Sequence, residues 1–265
     1  MDGVTGPQTR SSVADRRQAL TEYLLQVGSA HPQELADRFG VSLVTMHRDL
    51  DELARQELLR KFHGRVTARP VSEFEDNFSY RSRLAVTEKQ AIARLAADSV
   101  EPGMTVLLDD STTTFELAKV IADIEPLTVI TNFQPVISLF QERPHVQLVA
   151  LGGEYSAAHG SFTGTPCIVA AGALHADLGF YSFGGVSDGQ AYHQDHMIVL
   201  TKQAMLQVAS RRILLADHLK LGRSALHRVT GLDAFEQLIT DDGADDDVLA
   251  GLREYGPHVR VAKLT

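Results

Sequence analysis

Apolar residues recur at helical spacing near the start of the chain and as short β-type runs further on. Over 16–27, Leu20, Tyr23, Leu24 and Val27 share one side of a helix that Gly28 ends. A second short helix is expected over 33–39, with Leu35, Ala36 and Phe39 inward and Gly40 as its C-terminal cap. Ser42 is placed to cap a third helix running to about Gln56. Residues 58–68 alternate around His63-Gly64 as a small hairpin would. Residues 1–12, rich in Gly, Pro, Thr and Ser, read as a disordered N-terminus.

Residues 69–83 are polar and aperiodic, which reads as a linker. A new pattern fills 84–265. A helix spans 88–100, and β-rich runs follow at 104–109, 127–131, 146–150, 177–183, 211–216 and 236–240. Helical stretches at 114–124, 133–141 and 196–209 separate several of them. Alternating strand and helix implies an α/β domain with a mainly parallel sheet covered on both faces. The acidic run around Asp245, Asp246 and Asp247 reads as a solvated helix start.

A length of 265 residues suits two domains, and 44% hydrophobic residues suffice for a packed core. No run is long and apolar enough to cross a bilayer, and no secretory leader pattern opens the chain. One cysteine, Cys167, excludes an intrachain disulfide, and its apolar neighbours mark it as packing. A cytoplasmic protein without membrane, metal or cofactor is expected. The net charge of −9 is unevenly spread. Residues 1–70 carry 10 Arg/Lys against 9 Asp/Glu (net +1), leaving 15 against 25 for the rest (net −10). The acidity therefore says nothing against nucleic acid at the front of the chain.

The segment 31–53 has the geometry of a helix-turn-helix, with the motif itself at about 30–49. Leu35, Phe39, Val41, Met46, Leu50 and Leu53 would form its core. At 100° per residue, Val44, Arg48 and Arg55 point outward, flanked by Thr45 and His47. Arg48 can pair with guanine, Thr45 can touch a thymine methyl or a phosphate, and Ser42 suits a phosphate at the helix start. Arg60, Lys61, His63 and Arg65 would make a basic wing that positions the domain on the DNA backbone. Asp49 reads as a structural acceptor and His31 as a helix-entry residue.

A second constellation lies where strands end. Val106-Leu107-Leu108-Asp109 feeds Asp110-Ser111-Thr112-Thr113-Thr114 into a helix, a hydroxyl-rich anion site without the lysine of a nucleotide loop. Thr131-Asn132, Gly152-Gly153, Gly184-Gly185 and Asp217 to Lys220 follow other strands. In a parallel sheet these carboxyl ends share one edge, and such a set fits a small, polar, anionic ligand.

Both constellations resemble one family. Glu34-Leu35-Ala36, Phe39-Gly40-Val41-Ser42, Thr45-Met46-His47-Arg48-Asp49-Leu50, Leu53, Leu58-Leu59-Arg60 and His63-Gly64 resemble the DeoR-type winged helix-turn-helix. Leu108-Asp109 with Thr112-Thr113-Thr114, Val129-Ile130-Thr131-Asn132, Leu151-Gly152-Gly153, Lys202-Gln203-Ala204-Met205 and Leu215-Ala216-Asp217 with Lys220 resemble the DeoR sensor domain. The resemblance implies a winged helix over 13–68 and a sugar-phosphate sensor over 84–265, similar to ribose-5-phosphate isomerase and CoA-transferase folds.

It also implies a repressor of carbohydrate genes that binds double-stranded operator DNA as a homodimer or homotetramer, and that a phosphorylated sugar releases. Asp109, Ser111, Thr112, Thr113 and Thr114 would hold the phosphate, with Lys220 nearby and Asp217 orienting it. Thr131, Asn132, Gly152, Gly153, Gly184 and Gly185 would line the site. Lys202 would contact the ligand or pair with a surface acid. Ser111 stands where the family usually has glycine, and Asp195-His196-Met197 replaces a stretch usually carrying glutamate. Two other readings stay open: an isomerase-like enzyme using Asp188 or Asp195 as base, and a regulator whose sensor no longer binds ligand.

Overall fold

A computed structural model describes residues 13–27, 29–55, 59–62, 64–68 and 78–264. The disorder expected for 1–12, the stop at Gly28, the helix end at Gln56, the hairpin tip His63 and the first part of the expected linker lie outside them. The chain divides into two compact units, 1–74 and 75–265.

The first unit runs α1 (Val13–Val27), β1 (Ser29–Ala30), α2 (Pro32–Phe39), α3 (Leu43–Arg55), β2 (Leu59–Phe62) and β3 (Arg65–Ala68). Its three strands form an antiparallel sheet in the order β1-β3-β2. Leu20, Leu24, Leu35, Ala36, Met46, Leu50, Leu53, Leu59 and Val66 are buried together, the expected inward positions among them. Gly40 ends α2 with φ 63°, a left-handed conformation that a residue without a Cβ adopts at no steric cost. Two expected core residues sit at the rim: Val41 is half-buried, as is Phe39, whose ring meets Tyr23 edge-on at 6.3 Å. Val27, at the last helical position, is exposed.

The second unit opens with α4 (Phe78–Arg81) and α5 (Val86–Ala97). Residues 78–83 were expected to be linker, but they turn and pack onto the domain; apolar Phe78 against Phe133 provides the anchor that the surrounding polar residues conceal. Then follow β4 (Thr105–Leu108), α6 (Thr112–Val120), β5 (Leu127–Thr131), α7 (Gln134–Phe140), β6 (Val146–Ala150), a hairpin of β7 (Glu154–Ser156) and β8 (Ser161–Thr163), and α8 (Gly164–Gly172). After β9 (Ala176–Tyr181) come β10 (Gly185–Ser187), β11 (Gln190–His193), α9 (His196–Leu206), β12 (Ala209–Leu215), β13 (His227–Gly231), β14 (Gln237–Asp241), α10 (Asp246–Glu254) and β15 (His258–Ala262).

Seven strands make one parallel sheet in the order β15-β14-β12-β9-β4-β5-β6. Side chains alternate across it, as the strand period of two requires. Leu107, Ile130, Tyr181, Leu214 and Leu238 pack with α8, α9 and α10 on one face. Val106, Leu108, Val129, Phe180, Ile213 and Ile239 pack with α5, α6 and α7 on the other. The cover on both faces explains why the strands read as continuous apolar runs. No helix among the described residues is long and apolar enough to cross a membrane.

Strand order decides where a site can lie. From β4 the chain moves one way through β5 and β6; from β9 it moves the other way through β12, β14 and β15. The reversal falls between the neighbours β4 and β9, and a crevice opens at the carboxyl ends of such a pair. Asp109 follows β4 and Ser182 follows β9.

Candidate functional site

Asp109 stitches that crevice. Its carboxylate accepts from the Ser182 amide at 2.8 Å, from the Ser111 amide at 3.1 Å and from the Lys202 ammonium at 2.5 Å. Lys202 comes from α9, lies 2.8 Å from Asp110, and also donates to the Ser182 carbonyl at 3.0 Å. It was expected to meet ligand or to pair with a surface acid; the acids it pairs with are two buried ones. Burial alone would lower the Lys202 pKa, but Asp109 and Asp110 hold it above the usual lysine value. Burial alone would raise that of Asp110, and Lys202 holds it below the carboxylate range. Asp110 also accepts from Ser161 at 2.9 Å.

The loop after Asp109 is built as a helix cap. Ser111 is the N-cap of α6, in extended conformation, and its hydroxyl accepts from the Thr114 amide at 3.0 Å. Serine in place of glycine therefore costs no strain here. The Thr114 hydroxyl donates back to the Asp109 carbonyl at 2.8 Å. The hydroxyls of Ser111 and Thr114 are thus spent on holding the loop. Thr113 and Asn132 are fully buried, and among the described residues the Thr113 hydroxyl and the Asn132 Oδ1 have no hydrogen-bond partner. Such groups are costly to leave unmatched. Thr131 accepts from the Phe133 amide at 3.1 Å and belongs to the turn.

Positive charge gathers around this loop. Lys220 donates to the Ser182 hydroxyl at 2.8 Å and lies 4.0 Å from Asp217. Burial lowers its pKa; Asp217 opposes that shift, and the charges of Arg81 and Lys202 add to it. Lys89, on α5, donates to the carbonyls of Arg81 at 2.5 Å and Leu84 at 2.6 Å. Burial brings its pKa down to about 7, and the charge of Lys220 adds to the shift.

Beside them, His193 is buried and accepts from the Asp195 amide at 3.1 Å through Nδ1, so its proton sits on Nε2. Burial pushes its pKa down to about 3, and the charge of Lys202 adds to the shift. Asp195 caps α9 by accepting from Met197 and Ile198, and its other oxygen meets His159 at 3.3 Å.

Not every expected position joins the site. Gly152 is exposed, and Gly153 packs on the Thr163 carbonyl, which a Cβ would meet at 2.3 Å. Gly184 donates to the Tyr192 carbonyl at 3.0 Å, while Gly185 packs on the Arg223 carbonyl. Asp188, one candidate isomerase base, is exposed in a turn, and the other, Asp195, is a helix cap. Cys167 is buried as expected. Arg81, Lys89, Ser182, His159 and His193 were not expected at the site, and Asp110 was expected in the loop without a role of its own.

In the first unit, Ser42, Val44, His47 and Arg48 are exposed along the start of α3. Thr45 is half-buried, and the Ser42 hydroxyl accepts from its amide at 3.2 Å, as an N-cap does. A cleft of about 540 Å³ separates this end from the hairpin, with Leu43, His47, Lys61 and Arg65 among its lining. Lys61 pairs with Asp51, and Arg65 donates to Ser29 at 3.1 and 3.2 Å. Of the expected wing residues, Arg60 is described by its backbone in β2, and His63 lies outside the described residues. His31 enters α2, its amide donating to Glu34 at 2.9 Å. Asp49 is buried and accepts from Arg16 and Arg17 at 2.8 Å each, the structural role expected of it.

Residues 84–242 match the DeoR C terminal sensor domain, and residues 16–69 match the DeoR-like helix-turn-helix domain. The chain belongs to the DeoR family.

Among its curated DeoR-family relatives, an uncharacterized HTH-type transcriptional regulator of Bacillus subtilis strain 168 is 32% identical over 96% of this chain and 98% of its own length. The glycerol-3-phosphate regulon repressor of Escherichia coli strain K12 is 29% identical over 91% of this chain and 95% of its own. The L-fucose operon activator of the same strain is 31% identical over 86% and 95%. Among solved structures, ribose 5-phosphate isomerase A of Methanocaldococcus jannaschii is similar at a TM-score of 0.36, with 16% identity over 50% of this chain and 53% of its own. The protein is thus a DNA-binding transcription regulator of DeoR type, with a helix-turn-helix unit joined to a sensor domain.

Proposed function

We propose that this regulator represses carbohydrate-metabolism genes and is released from double-stranded operator DNA by a phosphorylated sugar. The observation that carries the sensor half is the gathering of Arg81, Lys89, Lys202 and Lys220 about the first turn of α6. A phosphate dianion there would meet the helix dipole, backbone N–H groups and several cations at once. Thr113 and Asn132 offer unmatched polar atoms to the rest of the ligand. Two named relatives act on the regulons of small phosphorylated or sugar substrates, and one is named a repressor.

On the DNA side, Val44, His47 and Arg48 would face the major groove, with Thr45 and Ser42 at the backbone. Arg60, Lys61, His63 and Arg65 would run beside the groove, and the cleft between hairpin and α3 gives a sugar-phosphate strand room. One such helix reads few base pairs, so a homodimer or homotetramer reading paired half-sites follows. The site of action is the cytoplasm. We assign no catalytic step, because a turn and a helix cap occupy the two carboxylates considered as bases.

The test is an anisotropy titration of the full chain on DNA upstream of its own gene, at stated salt, with and without a panel of sugar phosphates and their unphosphorylated sugars. Specific binding that one phosphorylated sugar reverses supports the reading. Specific binding that none of the panel alters defeats the sensor half, and no specific binding defeats both.

A further inference from the structure

The corner between β11 and α9 holds a histidine whose bonds fix its ring but use only one of its nitrogens. β11 ends at His193 and α9 begins at His196. The carbonyl of Tyr192 accepts from the Gly184 amide at 3.0 Å, two residues beyond the Ser182 that meets Lys202 and Lys220. On the other side, α9 carries Lys202 back to Asp109 and Asp110. His193 is therefore bracketed by two segments that both reach the crevice. Asp195 sets the corner. Its amide donates to His193 Nδ1 at 3.1 Å, and its Oδ1 accepts from the amides of Met197 at 2.7 Å and Ile198 at 3.1 Å. Its Oδ2 meets His159 Nε2 at 3.3 Å, and the rings of His159 and His193 lie 6.0 Å apart.

With Nδ1 accepting, the proton sits on Nε2. That N–H has no acceptor among the described residues, although the residue is only 6% exposed. A donor so deeply placed is costly to leave unmatched. The charges that reach the ring are those of Lys202, Asp110, Arg81 and His159, the groups around the loop after β4. The same loop has a bare acceptor. The Asn132 Nδ2 donates to the Phe162 carbonyl at 2.9 Å, next to the Ser161 that donates to Asp110. Its Oδ1 then needs a donor, and a phosphate dianion has none to give. A hydroxyl both donates and accepts. One bare donor and one bare acceptor therefore match the hydroxyls of a sugar better than a second anion. Burial and the charge of Lys202 keep His193 neutral, so it offers one N–H and adds no charge.

We propose that His193 is a specificity-determining residue of the sensor, donating from Nε2 to a hydroxyl oxygen in the sugar portion of the effector. The proposal rests on the sugar-phosphate reading above, and the experiment separates the two. Full-length wild type, His193→Asn and His193→Gln are titrated by calorimetry with inorganic phosphate, glycerol 3-phosphate, ribose 5-phosphate, glucose 6-phosphate and fructose 6-phosphate. An asparagine amide reaches the place of Nδ1 and can still accept from the Asp195 amide, but it stops short of Nε2. A glutamine amide nitrogen reaches about as far as Nε2. In wild type, the imidazole nitrogens of His193 are followed by nitrogen-15 magnetic resonance with each compound absent and saturating.

The expected result is that wild type binds at least one of the four organic phosphates more tightly than inorganic phosphate. His193→Asn weakens that compound by about tenfold and leaves inorganic phosphate unchanged, and His193→Gln weakens it less. The Nε2 signal of wild type shifts with the organic phosphate and stays in place with inorganic phosphate. Equal affinity of wild type and His193→Asn for the organic phosphate overturns the proposal and leaves the sugar-phosphate reading standing. So does an equal loss for organic and inorganic phosphate, which would make His193 a support of the phosphate loop. If wild type binds none of the four, that reading falls and the proposal with it. If His193→Asn does not fold, the Nε2 signal of wild type decides.

Discussion

Lys202 and Asp110 meet at 2.8 Å with 2% and 3% of their side chains exposed. Removing one partner of a buried ion pair costs about 3–5 kcal/mol, because the other charge stays behind in a low dielectric. Lys202→Met is therefore expected to destabilise the sensor unit by about that amount, since it strands Asp109 as well. Asp110→Asn should cost less, because Asp109 still holds the ammonium and Ser161 still has a partner. Urea unfolding read by circular dichroism checks the order; equal and negligible losses would show that the pair is not what closes the crevice.

On the other unit, Asp49 is a keystone rather than a reader of bases. Both Arg16 and Arg17 reach it from α1 at 2.8 Å. Asp49→Ala should lower the stability of the DNA-binding unit by about 3 kcal/mol. Operator affinity should fall with temperature while sequence preference is retained. A changed preference at constant stability would place Asp49 at the bases.

Arg48 and Lys61 should separate by kind of effect. Arg48→Ala is expected to cost about 1–3 kcal/mol and relax preference at one operator position. Lys61→Ala should weaken all sequences alike and reduce the salt slope by about one. Competition binding over a randomised operator library, repeated at two salt concentrations, distinguishes them.

His193 gives the sensor unit a pH dependence of known sign. Its folded pKa of about 3 lies below the ordinary 6.5, so the unfolded chain takes up a proton first as pH falls. This contribution to stability is whole above about 6.5 and declines toward 3, by at most about 1.4 kcal/mol per pH unit. His193→Gln should lose less stability than wild type between pH 6.5 and 4, measured by unfolding in matched buffers. Parallel losses would exclude the histidine as the source.

Lys89 supplies a signature of anion binding. With its amine near 7 and Lys220 also lowered, an arriving phosphate favours the protonated forms. Binding at pH 7–8 should therefore take up protons, read as a dependence of calorimetric heat on buffer ionisation enthalpy. Lys89→Met should lessen that dependence. A heat independent of buffer would mean that no ligand charge is felt there.

The strand runs and the chemistry at their carboxyl ends were legible because each depends on local sequence. Leu127–Thr131 and Val146–Ala150 were read to the residue, as apolar runs shortly after Pro126 and Pro144 and shortly before Asn132 and Gly152-Gly153. β15 was missed because an edge strand alternates: His258 and Arg260 interrupt Val259 and Val261. α8, nearly all small and apolar, carries no helical period to read. The site partners are another matter. Lys202 meets Asp109 across 93 residues of sequence, and no local pattern announces that. Lys89 did leave a sign, since it shares a buried stripe with Ile92, Ala93 and Ala96. A lysine in that register has a partner to find. Arg81 was hidden by its polar neighbours, which resemble those of a linker.

The reversal of strand order has a consequence for how the molecule comes into being. β4 leaves synthesis long before its neighbour β9, and Lys202 emerges later still. Until then Asp109 and Asp110 face solvent as two adjacent negative charges, and the loop after them has nothing to close against. The sensor is therefore among the last features to form, and such long-range closure is slow. A nascent or truncated chain can already carry a finished DNA-reading unit before it has any means of responding to a ligand.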